Sequence, residues 1–382
     1  MSSGRSRSEF LRIASTVTAA TMTGCSRAPT TASSPHVVES QIMITESPLI
    51  EGEVAATISK PKPTNSRQVV PSCIKPPRLR AGDAVGIIAC GGPARTAHEI
   101  PRARENLERL GLVPVTAPHL ADSFGYLAGS DAARAADFNA FARDSRIRGI
   151  IALRGGYGTM RILDLVDYDA IANDPKIIIG FSDVTALLNA VAARTGVTTF
   201  HGPVAGHGDF SANVANGLRV AAMTAEPIGR IRAREGSPLQ IGGSSSARGR
   251  IFGGNLSIVA ALCGTAFAVP SSGSIMLLED VKEAPYRVDR MLTQLRLSGA
   301  LESVSAVALG QFVDCIPNVG TDDTPSATIQ ETLRERLGDL RIPIITDLPF
   351  GHIPSQMTFP IGIRASVDSY AQTFTIEESA VS

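Results

Sequence analysis

Residues 175–188 have the sequence PKIIIGFSDVTALL, in which a strand pattern passes directly into a helix pattern. Three consecutive isoleucines predict a buried strand, and residues 183–193 have the apolar spacing of a helix. Ser182 therefore falls at the turn between the two. Such a turn can hold a nucleophile out of the strand, and free N–H groups at the start of the helix can stabilise negative charge.

The same turn has a simpler interpretation. The general nucleophile-elbow motif has a second glycine two residues after the serine, and this chain has Val184 there. Serine is also common at the start of helices, where its hydroxyl accepts a hydrogen bond from a backbone N–H. From this turn alone, Ser182 is either a nucleophile or a helix cap.

Strand and helix patterns alternate on both sides of Ser182. Further strands are predicted at 84–89, 113–116, 149–153, 198–200, 274–278, 305–312 and 342–346, and further helices at 98–110, 131–143, 286–298 and 328–337. This alternation predicts an α/β fold with an N-terminal parallel sheet flanked by helices. Alternating polar and apolar residues at 358–376 predict short antiparallel strands, so the second, smaller α/β domain is expected to have a mixed sheet.

Composition divides the chain into five parts. We predict an export or lipoprotein signal at 1–25, a tether rich in Pro, Ser and Thr at 26–74, a nucleophile-bearing α/β domain at 75–225, an inter-domain linker at 226–250 and a C-terminal domain at 251–382. The linker is expected because this segment is rich in Gly, Ser and Arg.

The overall charge excludes some classes of partner. The chain of 382 residues is 43% hydrophobic and 19% charged, which is typical of a folded globular protein. Its 36 Lys and Arg residues balance 36 Asp and Glu residues, so no net charge attracts nucleic acid or an anionic membrane. A local cluster of arginines lacks interleaved aromatic residues, which favours a solvated segment over a nucleic-acid site: Arg230, Arg232, Arg234, Arg248 and Arg250.

Cysteine spacing argues against a metal site. None of the five cysteines forms a Cys-x-x-Cys pair or lies near a histidine at ligand spacing, so neither a zinc site nor a disulfide framework is predicted. Cys90, Cys263 and Cys315 have apolar neighbours and are expected to be small core residues.

The N-terminus has the layout of an export signal. Arginines at 5, 7 and 12 precede a mild apolar run at 13–23, which is followed by Gly24-Cys25. Residues 22–25, MTGC, resemble a lipobox that would make Cys25 the lipidated first residue of the mature protein, and residues 6–12 resemble a twin-arginine signal that has lost one arginine. We therefore expect a protein of the cell envelope or periplasm. The alternative is a cytoplasmic protein with an N-terminal extension, translated from Met43.

An active serine needs a base, and the base needs a group that orients it. His201 and His352 both follow predicted strand ends, where parallel sheets place their active sites, and spacing does not decide between them. Among the acids, Glu279 closes the apolar strand at 275–278 and Glu283 is the competing candidate. The alternative for Glu279 is an edge charge that faces solvent.

A glycine-rich turn, RGGYG at residues 154–158, follows another predicted strand. The N–H groups of Gly155 and Gly156 suit a phosphate cradle or an oxyanion hole beside Ser182. However, neither the dinucleotide-binding nor the P-loop spacing is present. The third interpretation is a tight turn in which glycine is needed for a positive φ.

Several separate motifs, in the same order, resemble the LD-carboxypeptidase family of serine peptidases. This family comprises muramoyltetrapeptide carboxypeptidases and their microcin-immunity relatives. The motifs are PRL (77–79), GDAVGIIA (82–89), YLAG (126–129), RGGYG (154–158), GFSDVT (180–185), HGP (201–203), GGNL (253–256), LEDV (278–281), PYR (285–287), DRML (289–292) and GH (351–352). The resemblance covers roughly residues 75–375, which is all of the apparently folded part of the chain.

The resemblance implies a Ser–Glu–His triad. By motif, Ser182 is the nucleophile, His352 is the general base and then acid, and Glu279 orients His352. The order Ser, Glu, His along the chain is compatible with a triad, because triads are defined by geometry and roles. His201 is then expected to be a structural residue near the site.

The resemblance also implies how the substrate is held. The oxyanion hole would be formed by the backbone N–H of Asp183 together with that of Gly155 or Gly156. Three arginines are candidate partners of the substrate's terminal carboxylate: Arg154, Arg287 and Arg290.

The implied substrate is a murein tetrapeptide or muropeptide, cut between the L-centre of its third residue, a diamino acid, and the terminal D-Ala. No metal or organic cofactor and no nucleic acid is implied, and the family is commonly homodimeric. Family members usually lack an export signal. If this chain is exported, it would act on tetrapeptide stems in the cell wall.

A second interpretation is a microcin-immunity-like peptidase or amidase that cleaves peptide- or aminoacyl-nucleotide antibiotics. A third is a non-catalytic lipoprotein that binds peptidoglycan or nucleotide through the Gly155-Gly156 turn.

Overall fold

The computed structural model describes residues 70–233, 239, 241–242, 245–317 and 327–382. These residues lie within one compact unit, Pro61–Ser382. The predicted signal and nearly all of the predicted tether lie outside the described residues. The predicted domain boundaries stay a prediction.

The first sheet carries the isoleucine strand at its centre. Among the described residues it has six strands in the order β11-β5-β4-β3-β1-β2. They are β1 (Ala84–Ile88), β2 (Val113–Thr116), β3 (Ile147–Ala152), β4 (Ile177–Gly180), β5 (Thr199–His201) and β11 (Phe359–Ile361). All pairs are parallel except β11 with β5. The three isoleucines of β4 are at most 3% exposed, and burying each side chain contributes about 1.5–3 kcal/mol.

The second sheet is mixed, as predicted. Its order within the described residues is β10-β9-β8-β7-β12-β13-β6. The strands are β6 (Gly229–Arg232), β7 (Ser246–Asn255), β8 (Ile275–Val281), β9 (Ala306–Val313), β10 (Ile344–Ile345), β12 (Arg364–Asp368) and β13 (Thr373–Ile376). Strands β10 to β7 are parallel, and β7, β12, β13 and β6 are antiparallel.

Helices connect and cover both sheets. They are α1 (Glu99–Glu108), α2 (Asp131–Arg143), α3 (Tyr168–Asn173), α4 (Thr185–Thr195), α5 (Ala212–Ala222), α6 (Leu256–Leu262), α7 (Pro285–Leu297), α8 (Ala300–Ser303) and α9 (Ile329–Leu337). Helix α4 contacts β4 and β5 on one side and α6 and β7 on the other, so it lies where the two sheets meet. The predicted α/β fold class is confirmed.

The segment predicted as a linker contains strands. Strand β6 lies wholly within 226–250, and β7 begins there. Arg230 and Arg232 are exposed on either side of buried Ile231, which is the alternation of a strand with one buried face. The arginines therefore occupy outward positions of a sheet, and the Gly- and Ser-rich composition hid this short alternation.

No helix in the described part of the chain is long and apolar enough to cross a membrane. The four described cysteines are free thiols, of which Cys90 and Cys315 are buried, as predicted, and Cys263 is partly exposed. Burial raises the pKa of the Cys90 thiol to about 11, so this thiol is protonated and unreactive at neutral pH.

Candidate active site

Ser182 occupies a strained turn at the carboxyl end of β4. Its φ is +62°, a left-handed conformation that costs a non-glycine residue about 1–3 kcal/mol. The chain then forms a short 3-10 helix, Ser182–Val184, and continues into α4. The side chain of Ser182 caps neither helix, so the helix-cap interpretation is wrong.

Gly180 explains how the turn tolerates valine where the elbow motif has a second glycine. A Cβ on Gly180 would lie 2.6 Å from Cγ1 of Val184. Strand and helix approach so closely that only one of the two positions can carry a side chain. Here the glycine before the serine supplies the space that Val184 fills.

His352 connects the serine to a buried acid. Its Nε2 lies 3.1 Å from Oγ of Ser182, and its Nδ1 lies 2.8 Å from Oε2 of Glu279. The Glu279 side chain is fully buried, whereas that of His352 is 19% exposed. The structure thus brings together hydroxyl, imidazole and carboxylate, although His352 follows Ser182 by 170 residues.

Asn255, a residue of the GGNL motif for which no role was predicted, fixes the acid. It lies directly opposite Glu279 in the pairing of β7 with β8. Its Nδ2 donates to Oε1 of Glu279 at 3.3 Å and to Oδ1 of Asp280 at 3.1 Å. Burial, and next the charge of Glu279, raise the pKa of Asp280, whose second oxygen accepts hydrogen bonds from Ser257 at 2.9 and 2.8 Å.

His201 lies behind the acid and does not touch the serine. Its ring is fully buried, and its Nε2 is 3.9 Å from Oε1 of Glu279, beyond hydrogen-bond distance. Neither ring nitrogen has a hydrogen-bond partner among the described residues. Burial lowers the pKa of His201 to about 4, so its ring is neutral at neutral pH.

Glu283, the competing acid, lies 3.5 Å from Arg287 in an ion pair four residues away. No hydrogen bond joins Glu283 to a histidine within the described ranges. The geometry therefore favours His352 and Glu279 over both of their competitors.

The glycine-rich turn runs beside the serine. A Cβ on Gly155 would lie 2.9 Å from Cβ of Ser182 and 3.4 Å from the backbone nitrogen of Asp183. A Cβ on Gly156, whose φ is +114°, would instead meet Gly92 and Arg154. Of the two glycines, Gly155 is the one whose backbone adjoins the hydroxyl.

The Asp183 side chain ties this turn to the elbow. Its Oδ2 accepts hydrogen bonds from the backbone N–H of Thr159 at 2.9 Å and from its hydroxyl at 2.6 Å. Burial raises the pKa of Asp183, against the opposing effect of these hydrogen bonds. Because the carboxylate occupies the first N–H of the following 3-10 helix, Thr159–Leu165, the phosphate-cradle interpretation loses that anion-binding group.

A cavity of about 680 Å³ opens next to this turn. Its lining residues are Pro93, Ala94, Arg95, Tyr126, Arg154, Gly156 and Tyr157. Of the three arginines considered for the substrate carboxylate, Arg154 lines this cavity, Arg290 lines another one, and Arg287 pairs with Glu283.

Within the described residues, no three His, Cys, Asp or Glu side chains form a group that could hold a metal ion.

Comparison with protein families matches both halves of the fold. Residues 85–202 match the LD-carboxypeptidase N-terminal domain, and residues 248–367 match the LD-carboxypeptidase C-terminal domain. A relative from Streptomyces coelicolor, named as a carboxypeptidase, is 39% identical over 81% of this chain and 97% of its own length. A relative from Bacillus subtilis, named as a murein peptide carboxypeptidase, is 32% identical over 79% of this chain and 94% of its own.

Solved structures agree with this result. The muramoyltetrapeptide carboxypeptidase from Oxalobacter formigenes has a TM-score of 0.67 and 29% identity, and it covers 78% of this chain and 99% of its own. The microcin C7 self-immunity protein MccF, in complex with aspartyl sulfamoyl adenosine, has a TM-score of 0.71 and 25% identity, with 81% and 100% covered.

Proposed function

The chain belongs to the LD-carboxypeptidase family and is a serine-type carboxypeptidase, and from this premise we propose that it releases the terminal D-Ala of murein tetrapeptides. The scissile bond joins the L-centre of the third residue to D-Ala. The observation that carries the proposal is the hydrogen-bonded chain from Ser182 through His352 to Glu279.

Each member of this chain has a defined task. Glu279 accepts a hydrogen bond from Nδ1–H of His352, which leaves Nε2 free to take the proton of the Ser182 hydroxyl. Oγ then attacks the carbonyl carbon of the third residue, and the backbone N–H groups of Asp183 and Gly155 stabilise the resulting oxyanion.

Breakdown of this intermediate completes the reaction. His352 returns the proton to the departing D-Ala nitrogen, and an acyl-enzyme remains on Ser182. Water, deprotonated by His352, then attacks the acyl carbon, and His352 returns the proton to Oγ of Ser182 as the bond to the shortened peptide breaks. Arg154 holds the terminal carboxylate, because it lines the cavity next to the glycine-rich turn and its side chain is only 12% exposed.

A second candidate function rests on the likeness to MccF, whose solved complex contains aspartyl sulfamoyl adenosine. In that case the same serine would cleave an aminoacyl-nucleotide conjugate. Assaying D-Ala release from a tetrapeptide beside cleavage of an aminoacyl sulfamoyl adenosine separates the two candidates.

Substituting the nucleophile tests the proposal. We expect Ser182→Ala to lower kcat for D-Ala release by about 10⁴-fold or more and to leave tetrapeptide binding intact. His352→Ala should cost a similar factor alone and little further in the Ser182→Ala background, because the two act as a unit. Ser303→Ala is the matched control, since this exposed serine lies before the amino end of β9.

Mass spectrometry of the released D-Ala gives the measurement. Turnover by Ser182→Ala at the parent rate would contradict the proposed triad. Peptide binding by parent and variant alike, with no D-Ala released by either, would favour a non-catalytic binding protein. Loss of the parent's activity in EDTA would indicate a metal mechanism instead.

We further propose that the reaction takes place in the cell envelope, with the chain anchored through a lipid on Cys25. The support is the arginine-rich start, the short apolar run and the MTGC sequence at 22–25. Membrane fractionation should find the parent with the membranes and Cys25→Ser released from them. Finding both in the cytosol would favour the cytoplasmic alternative.

A further inference from the structure

The cavity next to the glycine-rich turn has a positive wall. Arg154 and Arg95 both line it, and none of its lining residues is acidic. The Arg154 guanidinium donates to the carbonyl of Pro93 at 3.1 Å and lies 3.9 Å from Glu99. Burial, and next the positive charge of Arg95, lower the pKa of Arg154, which is consistent with two guanidinium groups sharing one cavity.

Arg95 is the more available of the two. Its side chain is exposed and makes no hydrogen bond or ion pair with any described residue, while its backbone N–H donates to Glu99 at 2.7 Å. That hydrogen bond fixes the main chain at the cavity mouth and leaves the guanidinium unpaired. The buried Glu99 carboxylate offsets at most one of the two positive charges.

The same cavity also has an apolar, aromatic side. Tyr126 and Tyr157 are 66% and 52% exposed, and their rings meet edge to face with centroids 5.5 Å apart. Pro93 and Ala94 add further apolar surface. A ligand that fits has an apolar stem and two anionic groups, because exposed aromatic faces pack against methylene groups and guanidinium groups bind carboxylates.

We propose that Arg95 is a specificity-determining residue that binds a carboxylate at the end of the side chain of the substrate's third residue. Tyr126 and Tyr157 pack against the methylene groups of that side chain, and Arg154 holds the terminal carboxylate. This inference rests on the proposed function and deepens it: the site selects diaminopimelate over lysine. Both side chains end in an ammonium group, but only that of diaminopimelate has a carboxylate beside it, so lysine would bring a net positive charge into a cavity lined by two positive charges.

Three tetrapeptides that differ only at the third residue test the inference: meso-diaminopimelate, its side-chain carboxamide, and L-lysine. The carboxamide is nearly isosteric with the carboxylate and lacks its charge. For the parent we expect kcat/KM for the carboxylate peptide to exceed that for the other two by about tenfold, the size of one charge-assisted hydrogen bond.

Arg95→Gln should remove this preference. We expect a roughly tenfold loss for the carboxylate peptide, mostly in KM, and no loss for the carboxamide peptide, so that their ratio approaches one. Arg80→Gln is the matched control, because Arg80 is exposed and precedes β1 at the opposite end of the first sheet.

Calorimetric binding to the Ser182→Ala variant keeps the inference separate from the proposed function. Release of D-Ala from all three peptides with equal binding would overturn the role of Arg95 and leave the carboxypeptidase intact. Absence of D-Ala release would overturn the proposed function, and the binding ratio with and without Arg95→Gln would still decide the inference. A loss that is equal for all three peptides in Arg95→Gln would contradict charge selection.

Discussion

Three residues at this site have a backbone conformation or a degree of burial that costs free energy. Ser182 is held at positive φ, Glu279 is a fully buried carboxylate, and His201 is a buried imidazole without a hydrogen-bond partner among the described residues. The surrounding structure compensates only the first two, through the fixed elbow and through the hydrogen bonds from His352 and Asn255. The burial of His201 therefore costs free energy that no hydrogen bond from the described residues offsets, and the pH dependence of stability measures this cost.

Stability should fall in acid because of His201. Its pKa in the folded state is about 4 because of burial, against about 6.5 in the unfolded chain. Below pH 6.5 the His201 imidazole binds a proton in the unfolded chain but not in the folded chain. The free energy of unfolding therefore falls as the pH decreases towards 4, by up to about 3 kcal/mol. At pH 7 and above this effect is absent.

Urea titrations at several pH values measure the effect. His201→Phe keeps an aromatic ring among Phe181 and Phe350 and cannot titrate, so its stability should fall less between pH 7 and pH 4.5. The comparison uses the slope with pH, because the larger ring can change the stability itself by packing against Gly254. Equal slopes for parent and variant would contradict a buried neutral imidazole.

At the scale of single elements, long apolar patterns were predictable and short polar ones were not. The predicted strand at 84–89 is β1, and the predicted helix at 131–143 is α2 with the same bounds. Strand β6, by contrast, has four residues, three of them Gly or Arg, so its hydrophobic pattern rests on Ile231 alone. Its pairing with β13 makes it a strand, and that partner lies more than 140 residues away.

The elements of the site divide in the same way. A serine after a buried strand and an acid at the end of another were predictable, because strand ends are recognisable and place side chains at one edge of a sheet. Spacing did not decide between His201 and His352, since both follow strand ends. The family resemblance implied His352, and the packing brings its imidazole to the Ser182 hydroxyl. Asn255 and Arg95 gave no signal of their roles, because the contact of Asn255 with Glu279 and the role proposed for Arg95 depend on which residues the fold places opposite them.

At the scale of the whole molecule, the triad depends on how the two sheets are joined. Strand β11 comes from the C-terminal part of the chain and pairs with β5 of the first sheet. Helix α4, which follows the elbow, contacts β7 of the second sheet. The hydroxyl of Ser182 follows a strand of the first sheet, and the carboxylate of Glu279 lies on a strand of the second. The contacts of β11 with β5 and of α4 with β7 form the joint between the sheets, and this joint sets the distance between the two groups.

Asn189 is the polar centre of the joint. It is 1% exposed, its Nδ2 donates to the carbonyl of Gly253 at 2.9 Å, and its Oδ1 accepts from the N–H of Gly253 at 2.8 Å. One amide thus pairs both backbone groups of a residue on β7. Two residues further along β7, the N–H of Asn255 donates to the hydroxyl of Thr185 on the same helix.

Asn189→Ala should loosen the joint and the triad together. Two buried backbone groups of Gly253 lose their partners, which should lower the free energy of unfolding by about 2–4 kcal/mol. Because α4 carries the elbow, we also expect kcat to fall by about 10²-fold with little change in KM, since a displacement of about 1 Å at the reacting groups costs that much. Asn139→Ala is the control for the loss of a doubly paired amide: this half-buried asparagine on α2 also pairs with backbone at Leu165 and Asp167, away from the joint. If both variants lost stability equally and kept the parent kcat, Asn189 would be an ordinary buried amide, and the alignment of the triad would be independent of this contact.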